Sequence, residues 1–317
     1  MVTKIKVAFV GAGYMTTEHI KAFASLPDVT IAGIFSRSAD RAALLAAPHG
    51  AIVAASVDDL YARTQADLVV VSVPELAMAA IAGQCFLHPW QVLLEKPAGY
   101  NLPDAQRIRD AALAAGATVH VALNRRAYSS TRAALDQLSD ADGKRFIKVL
   151  DQQDQIAARI HHGQPELVAQ NYMFANSIHV IDYFRVFGRG SIVGVTPVVA
   201  WTPEAPGLVI AKLEFSSGDI GVYEGIWDGP GPWAVSVSTA AKRIEMRPLE
   251  QGTVQLRDTR AQIPLEVSED DRNYKPGLRY QAEQALLAVR GQPARLAGID
   301  DSLQSMKLVA DIFGVTG

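Results

Sequence analysis

The chain has 317 residues, 49% of them hydrophobic and 20% charged, with a net charge of -3. Such a length exceeds what one hydrophobic core usually serves, so two domains are expected, and the charge excludes a nucleic-acid surface built on clustered Lys and Arg. No apolar run reaches the ~18 residues of a membrane span, the N-terminus lacks a signal-peptide pattern, and the single cysteine, Cys85, excludes an internal disulfide and a cysteine-based metal cluster, so a reducing cytoplasm is expected, with no metal.

Taken in order, the first third alternates between strand and helix. Ile5 to Val10 is a continuous apolar run, as in a strand buried on both faces. Thr17 to Ala24 reads as a helix, Val29 to Phe35 as a strand, and Asp40 to Ala47 as an Ala-rich helix. A weaker strand is expected near Ala51 to Ala54. Leu68 to Val73 is a strong strand, Leu76 to Gln84 a helix, Gln91 to Leu94 a short strand, Pro103 to Ala115 a helix and Thr118 to Leu123 a strand. This rhythm predicts an α/β class, with a Rossmann-type, doubly wound parallel sheet over residues 1–123.

Beyond Leu123 the rhythm changes. A helix over Ser129 to Leu138 precedes a strand over Phe146 to Asp151, and Met173 to Phe187 reads as helical. Strand character follows at Ile192–Ala200, Leu208–Phe215, Ile220–Trp227, Trp233–Ser238, Arg243–Met246 and Val254–Leu256. Short Gly-, Pro- or Ser-Gly-containing connections predict an α+β domain over 124–317 with an open, mostly antiparallel sheet. Helices over Leu278–Val289 and Ser302–Phe313 close the chain.

The first strand runs into Gly11-Ala12-Gly13-Tyr14-Met15-Thr16. The dinucleotide-binding template is G-x-G-x-x-G: a tight turn, a close backbone approach to pyrophosphate, and close helix packing. Thr16 stands at the third glycine, so the motif is partial, but the strand before it and the helix after it are the right context. The helix N-terminus offers free N–H groups to phosphate. The second strand ends in Phe35-Ser36-Arg37-Ser38, with Arg41 a turn later. An Asp or Glu there would bind the ribose 2′-hydroxyl of NAD; Ser36, Ser38 and the Arg37 fork suit a 2′-phosphate instead. NADP(H) is therefore favoured. The alternative is that Arg37 stacks on adenine and NAD(H) is also accepted.

With these residues in place, the sequence resembles the glucose–fructose oxidoreductase / inositol dehydrogenase / rhizopine catabolism (Gfo/Idh/MocA) family. The resemblance rests on Gly11-Ala12-Gly13 with His19, Val73-Pro74, Glu95-Lys96-Pro97, Asn124-Arg125-Arg126 and His179-Val180-Ile181-Asp182. It implies an NAD(P)-dependent enzyme that transfers a hydride to or from a carbinol–carbonyl pair of a sugar, cyclitol or nucleotide-linked sugar. It also implies a homodimer or homotetramer formed through the second domain's sheet.

Lys96 follows a predicted strand at the carboxyl edge of the sheet, where its ammonium can steady a developing alkoxide. The resemblance makes it the catalytic lysine, with a commonly cis bond to Pro97. Glu95 is expected to orient Lys96 or touch the cofactor; the alternative is a surface Lys96–Glu95 pair. His179, on a helical stretch among Ile178, Val180, Ile181 and Tyr183, is the acid/base candidate, and Asp182 is placed to hydrogen-bond it or to cap a neighbouring element. The alternative is a satisfied core histidine, but the family places its catalytic histidine here. Asn176, Asp182, Asn124 and Arg126 are expected at the substrate, and Arg125 is expected to be structural. Gly11, Gly13, Tyr14, Met15, Ser36, Arg37, Ser38, Arg41, Val73, Pro74, Glu95 and Lys96 are expected at the cofactor.

Two departures stand out. Many family members carry Asp four residues before the histidine, where this chain has Ala175, and Met78 replaces a His often found after Val-Pro. They leave open an altered sugar, a cofactor-binding regulatory or partner subunit, and a redox-assisted glycosidase. His161-His162 reads as a solvated loop. Trp227 and Trp233 flank a Gly/Pro turn that suits either sugar stacking or subunit contact. Tyr128 and Tyr172 are further candidates for the lining.

Overall fold

Strand β1 (Ile5–Val10) is followed by α1 (Tyr14–Ala24), β2 (Val29–Phe35), α2 (Ala39–Ala46), β3 (Ile52–Ala54), α3 (Val57–Thr64), β4 (Leu68–Val71), α4 (Glu75–Cys85), β5 (Gln91–Glu95), α5 (Leu102–Ala114) and β6 (Val119–Ala122) in a computed structural model that describes residues 4–315. The strands pair in parallel in the order β6-β5-β4-β1-β2-β3, so the order reverses between β1 and β4. All four residues of β4 are buried, as expected of a strand covered by helices on both faces. Helix α3 went unread in the sequence, yet its cap is local: Ser56 Oγ accepts from the Asp59 N–H at 3.0 Å.

The chain divides into two units by contact: 1–124 with 270–303, and 125–269 with 304–317. The second unit opens with α6 (Ser129–Asp136), β7 (Phe146–Gln153), α7 (Gln155–Ile160) and α8 (Glu166–Gln170). A π-helical turn (Met173–Ser177) then leads into α9 (Ile178–Ile181) and α10 (Tyr183–Phe187). Six strands follow: β8 (Ile192–Val199), β9 (Leu208–Phe215), β10 (Ile220–Trp227), β11 (Ala234–Ser238), β12 (Lys242–Met246) and β13 (Thr253–Leu256), with a short β14 (Ile263–Pro264). The sheet order is β14-β13-β12-β11-β7-β10-β9-β8, antiparallel except for the β7–β10 pair. The stretch 173–187, expected as one amphipathic helix, is broken into three pieces and buried on nearly every side. Its residues Met173, Phe174, Ile178, Val180, Ile181, Phe184 and Phe187 leave no solvent face.

After β14 the chain forms α11 (Asp270–Asn273), α12 (Leu278–Val289), β15 (Ala297–Gly298) and α13 (Ile299–Phe313). The expected uninterrupted second domain over 124–317 is corrected here, because residues 270–303 return to the first unit. The apolar face of α12 explains the return: Leu278, Ala282, Ala285 and Leu286 join the core of Ile20, Phe23 and Leu26. Arg279 Nε donates to Ser25 Oγ at 3.1 Å, and β15 adds antiparallel to β6. Among the described residues, no helix is long and apolar enough to cross a membrane.

In the second unit the turn from β9 to β10 holds Asp219, which is 1% exposed. Its carboxylate accepts from the backbone N–H groups of Arg145 (2.8 Å) and Arg189 (3.1 Å) and from Arg189 Nη2 (2.7 Å). Arg145 Nη1 donates to the Phe187 carbonyl at 2.8 Å and so pins the end of α10. Burial works against the Asp219 charge, but the Arg189 hydrogen bond and the two backbone donors overcome it and hold the carboxyl down at about 2. A carboxyl depressed in the folded chain contributes stability above the ordinary range that is lost as pH falls through the folded value. Asp219→Asn is expected to cost roughly 1.5–3 kcal/mol at neutral pH, the worth of a charge-assisted hydrogen bond. Urea unfolding as a function of pH checks this: the gap from wild type should close as pH falls from about 4 to about 2.

Candidate active site

One group of candidate residues lies in the first unit, where β1 ends. Gly11 has φ +115°, and a Cβ there would sit 2.1 Å from the Ser72 carbonyl oxygen, so only glycine fits. Its N–H donates to the Phe35 carbonyl, and Ser72 N–H donates to the Val10 carbonyl, both at 2.8 Å. Val73 and Pro74 follow directly, at the carboxyl end of β4 across the strand-order reversal, the place where ligands bind in such sheets. Gly13 caps α1 with extended backbone, and a Cβ there would meet nothing within 4 Å. The first turn of α1, Tyr14 to Thr16, has no acidic residue and no side-chain cap, so its N–H groups form an anion-accepting end. Thr16, at the third glycine position, is wholly buried. Its hydroxyl and that of Ser72 lack a hydrogen-bond partner among the described residues. The Lys275 ammonium lies 5.3 Å over the exposed Tyr14 ring, a cation that the sequence reading did not single out.

At the tip of β2, Ser36 Oγ accepts from the Ser38 N–H at 3.3 Å, and Ser38 caps α2. Arg37 and Arg41 are exposed. Asp40, in the same first turn of α2, is an exposed carboxylate that the sequence reading passed over.

Glu95 ends β5 and is 6% exposed, which excludes the surface-pair reading for it. Its Oε1 lies 2.6 Å from Nε2 of His19, itself 1% exposed on α1, and its Oε2 accepts from the Lys96 N–H at 3.2 Å. Glu95 therefore ties the helix of the glycine turn to the backbone of Lys96. The Lys96–Pro97 bond is cis. Asn124, buried at the end of the same unit, donates from Nδ2 to the Pro276 carbonyl at 3.2 Å. Met78, at the position where relatives often carry His, is buried at 1% exposure and packs as a core residue.

A second group of candidate residues lies in the second unit. His179 is 6% exposed on α9, and its Nε2 is 3.1 Å from Arg125 Nη1. A guanidinium has donors only, so the facing ring nitrogen accepts and carries no proton. The Arg125 guanidinium also lies 5.3 Å from the Trp233 ring and 5.8 Å from the Tyr128 ring. The expectation that Arg125 is merely structural is therefore corrected: it touches the acid/base candidate directly. Asp182 is engaged by a two-toothed pair with Arg126, Nε to Oδ2 and Nη2 to Oδ1, both at 2.6 Å. Ser305 Oγ adds a third donor, also at 2.6 Å. These contacts suit holding α9 in place more than meeting substrate.

Asn176 is half-buried in the π turn, and its Nδ2 donates to Gln153 Oε1 at 2.9 Å. Gln153 in turn donates to Asp151, a carboxylate 1% exposed, whose carboxyl burial pushes above its ordinary value against the hydrogen bonds it accepts. Sequence reasoning missed Asp151, Gln153 and Tyr223. For the first two a signal was present: on β7 Asp151 and Gln153 follow Ile147 and Val149 on the buried face, where polar residues are rare. His19 was noted only as a mark of resemblance. Of the Gly/Pro turn, Trp233 lies near His179, their ring centroids 5.9 Å apart. Trp227 is buried core.

Residues 5–123 match the family described as "Oxidoreductase family, NAD-binding Rossmann fold", Gfo/Idh/MocA. The chain is 25% identical over 237 residues to 4-carboxy-2-hydroxymuconate-6-semialdehyde dehydrogenase of Sphingobium, covering 72% of this chain and 74% of that protein. It is 29% identical over 120 residues to scyllo-inositol 2-dehydrogenase (NADP(+)) IolU of Bacillus subtilis, covering 38% of this chain and 37% of that protein. A dehydrogenase from Chromobacterium violaceum has a similar structure, with TM-score 0.84, 20% identity and coverage of 99% and 95% of the two chains.

The two glycines are expected to respond in opposite ways. Gly11→Ala, forced against the Ser72 carbonyl at positive φ, should destabilise the fold by at least ~1–3 kcal/mol. Gly13→Ala, with its Cβ in open space, should unfold within about 0.5 kcal/mol of wild type. Thermal and urea unfolding of the two variants without nucleotide check the contrast.

Proposed function

We propose that the chain is an oxidoreductase of the Gfo/Idh/MocA family, whose model matches residues 5–123, and that it transfers a hydride between NADP(H) and a carbinol or carbonyl carbon of a sugar, cyclitol or nucleotide-sugar substrate. The observation that carries this reading is the turn at Gly11–Gly13: backbone locked against Ser72, open space at Gly13, and an uncapped helix end beside it. Those features suit a pyrophosphate, with Tyr14 and Met15 supplying first-turn N–H groups and Val73-Pro74 bounding the far side of the strand reversal. When bound, the nicotinamide supplies the hydride chemistry.

This chain's residues hold the substrate and manage the proton. Lys96, its backbone fixed by Glu95, steadies the developing alkoxide. His179 exchanges the hydroxyl proton, with Arg125 governing which ring nitrogen is open. Asn124 and Asn176 meet substrate hydroxyls, while Arg126 and Asp182 keep α9 in register. Ser36, Ser38, Arg37 and Arg41 favour a 2′-phosphate, and hence NADP(H). The NADP(+) in the name of the Bacillus subtilis relative agrees with this choice. Asp40 supports the second reading, NAD(H), because a carboxylate can accept from a ribose hydroxyl. The exposed Val193, Val198, Leu208 and Ile220 on the second unit's sheet support association into a homodimer or homotetramer.

Arg37→Asp is expected to weaken NADPH at least tenfold more than NADH in fluorescence titrations; equal losses would remove the phosphate role. On the polyol or sugar selected by thermal-shift screening with NADP⁺, Lys96→Ala and His179→Ala should each lower kcat by roughly 10²–10⁴. NADPH affinity should stay within about threefold of wild type. Full turnover by both variants would overturn the assigned chemistry.

A further inference from the structure

Four polar side chains form one line inside the second unit, and three of them have no part in the reaction as proposed. The Tyr223 hydroxyl, on β10, donates to Asp151 Oδ2 at 2.7 Å. Asp151 Oδ1 accepts from Gln153 Nε2 at 2.7 Å, and Gln153 Oε1 accepts from Asn176 Nδ2 at 2.9 Å. The first three are buried to within 1% exposure, while Asn176 is half-buried, three residues before His179.

The backbone is arranged for this line. Residues 151 and 153 share the inward face of β7. In the parallel register Gly225 of β10 stands opposite Asp151, and a Cβ at 225 would lie 2.6 Å from the Tyr223 hydroxyl. Glycine there leaves the space in which the phenol reaches the carboxylate.

The line has one polarity. Asp151 accepts at both oxygens, from the Tyr223 hydroxyl at Oδ2 and from the Gln153 NH₂ at Oδ1. Burial and the Asp151 charge push the Tyr223 phenol well up, so that hydroxyl keeps its proton and remains a donor. With its NH₂ committed to Asp151, Gln153 turns its carbonyl to Asn176, and Asn176 must answer with its own NH₂. The oxygen of Asn176 is left on the side away from Gln153. An isolated asparagine amide has no such preference, whereas a chain of buried hydrogen bonds fixes it.

We propose that Asp151, Gln153 and Tyr223 are positioning residues that hold Asn176 with Oδ1 presented as an acceptor, so that the substrate atom it meets is a hydroxyl donor, not a carbonyl or carboxylate oxygen. The substrate clause rests on the proposed function; the orientation of Asn176 does not.

The test uses the full chain with NADP⁺ and ¹⁵N-labelled Asn and Gln side chains. Asp151→Asn, an isosteric change that lets an N–H face Gln153, is expected to shift both the Gln153 and the Asn176 side-chain amide resonances and to speed their hydrogen exchange at least fivefold. Unchanged Asn176 resonances in that variant would overturn the proposal. Should Asp151→Asn fail to fold, Gln153→Leu carries the same expectation for Asn176. With scyllo-inositol as the probe, Asp151→Asn should raise KM roughly tenfold, the order expected for one misdirected hydrogen bond, with kcat within about twofold. The Asp151→Asn/Asn176→Leu double variant should be no worse than Asn176→Leu alone; additive losses would count against the line. Absence of scyllo-inositol turnover and of any other polyol turnover in the wild type would defeat the proposed function, while the resonances would still decide the orientation.

Discussion

The close approach of Gly11 to the Ser72 carbonyl is the constraint on which the first unit's chemistry depends. It brings the ends of β1 and β4 together at the point where the strand order reverses, and it leaves no space for a side chain at position 11. From that turn α1 begins, and one helical turn further along the same helix buries His19 against Glu95. The Lys96 backbone is held by the other oxygen of Glu95. The glycine turn and the lysine edge are therefore one mechanical assembly: a shift of α1 would be felt at Lys96 through a buried carboxylate whose desolvation makes loss of its partner costly.

The second unit solves a different problem, that of keeping polar side chains inside an apolar layer. The broken helix over 173–187 is buried almost completely and still carries Asn176, His179 and Asp182. Each has partners: Gln153 for Asn176, Arg125 for His179, Arg126 and Ser305 for Asp182. Buried polar groups are tolerable when they are satisfied, and a satisfied network also orients what it holds. The Asp that many Gfo/Idh/MocA proteins carry four residues before the histidine is replaced here by Ala175, yet a carboxylate stands in this layer, Asp151, reached from β7 and not from the helix. The π-helical turn at Met173–Ser177 holds Asn176 and leads directly into α9, which carries His179.

Much of the fold was legible because the signals are local. Apolar runs at β1, β2 and β4, and strand-prone runs separated by Gly-, Pro- or Ser-Gly-containing connections in the second unit, mark those elements. Helix α3 was missed although Ser56 and Asp59 spell its cap, and the stretch 173–187 was taken as one helix because its apolar content suits a helix of any regularity. The return of residues 270–303 to the first unit had no local signature. The face of α12 that carries Leu278, Ala282 and Leu286 suits any apolar partner, and only the shape of the surface on α1 selects one.

What the sequence by itself determined is the parallel sheet with its glycine turn and the positions of those glycines. Each of these follows from residue type and spacing along the chain. Tertiary structure alone decided the partners: Glu95 with His19, Arg125 with His179, Arg126 with Asp182, and Asp151 with Tyr223. Those pairs lie 76, 54, 56 and 72 residues apart. Direct hydrogen bonds act over about 3 Å, and no periodicity in the chain encodes which distant donor arrives at a given acceptor. The packing of strands and helices makes that choice.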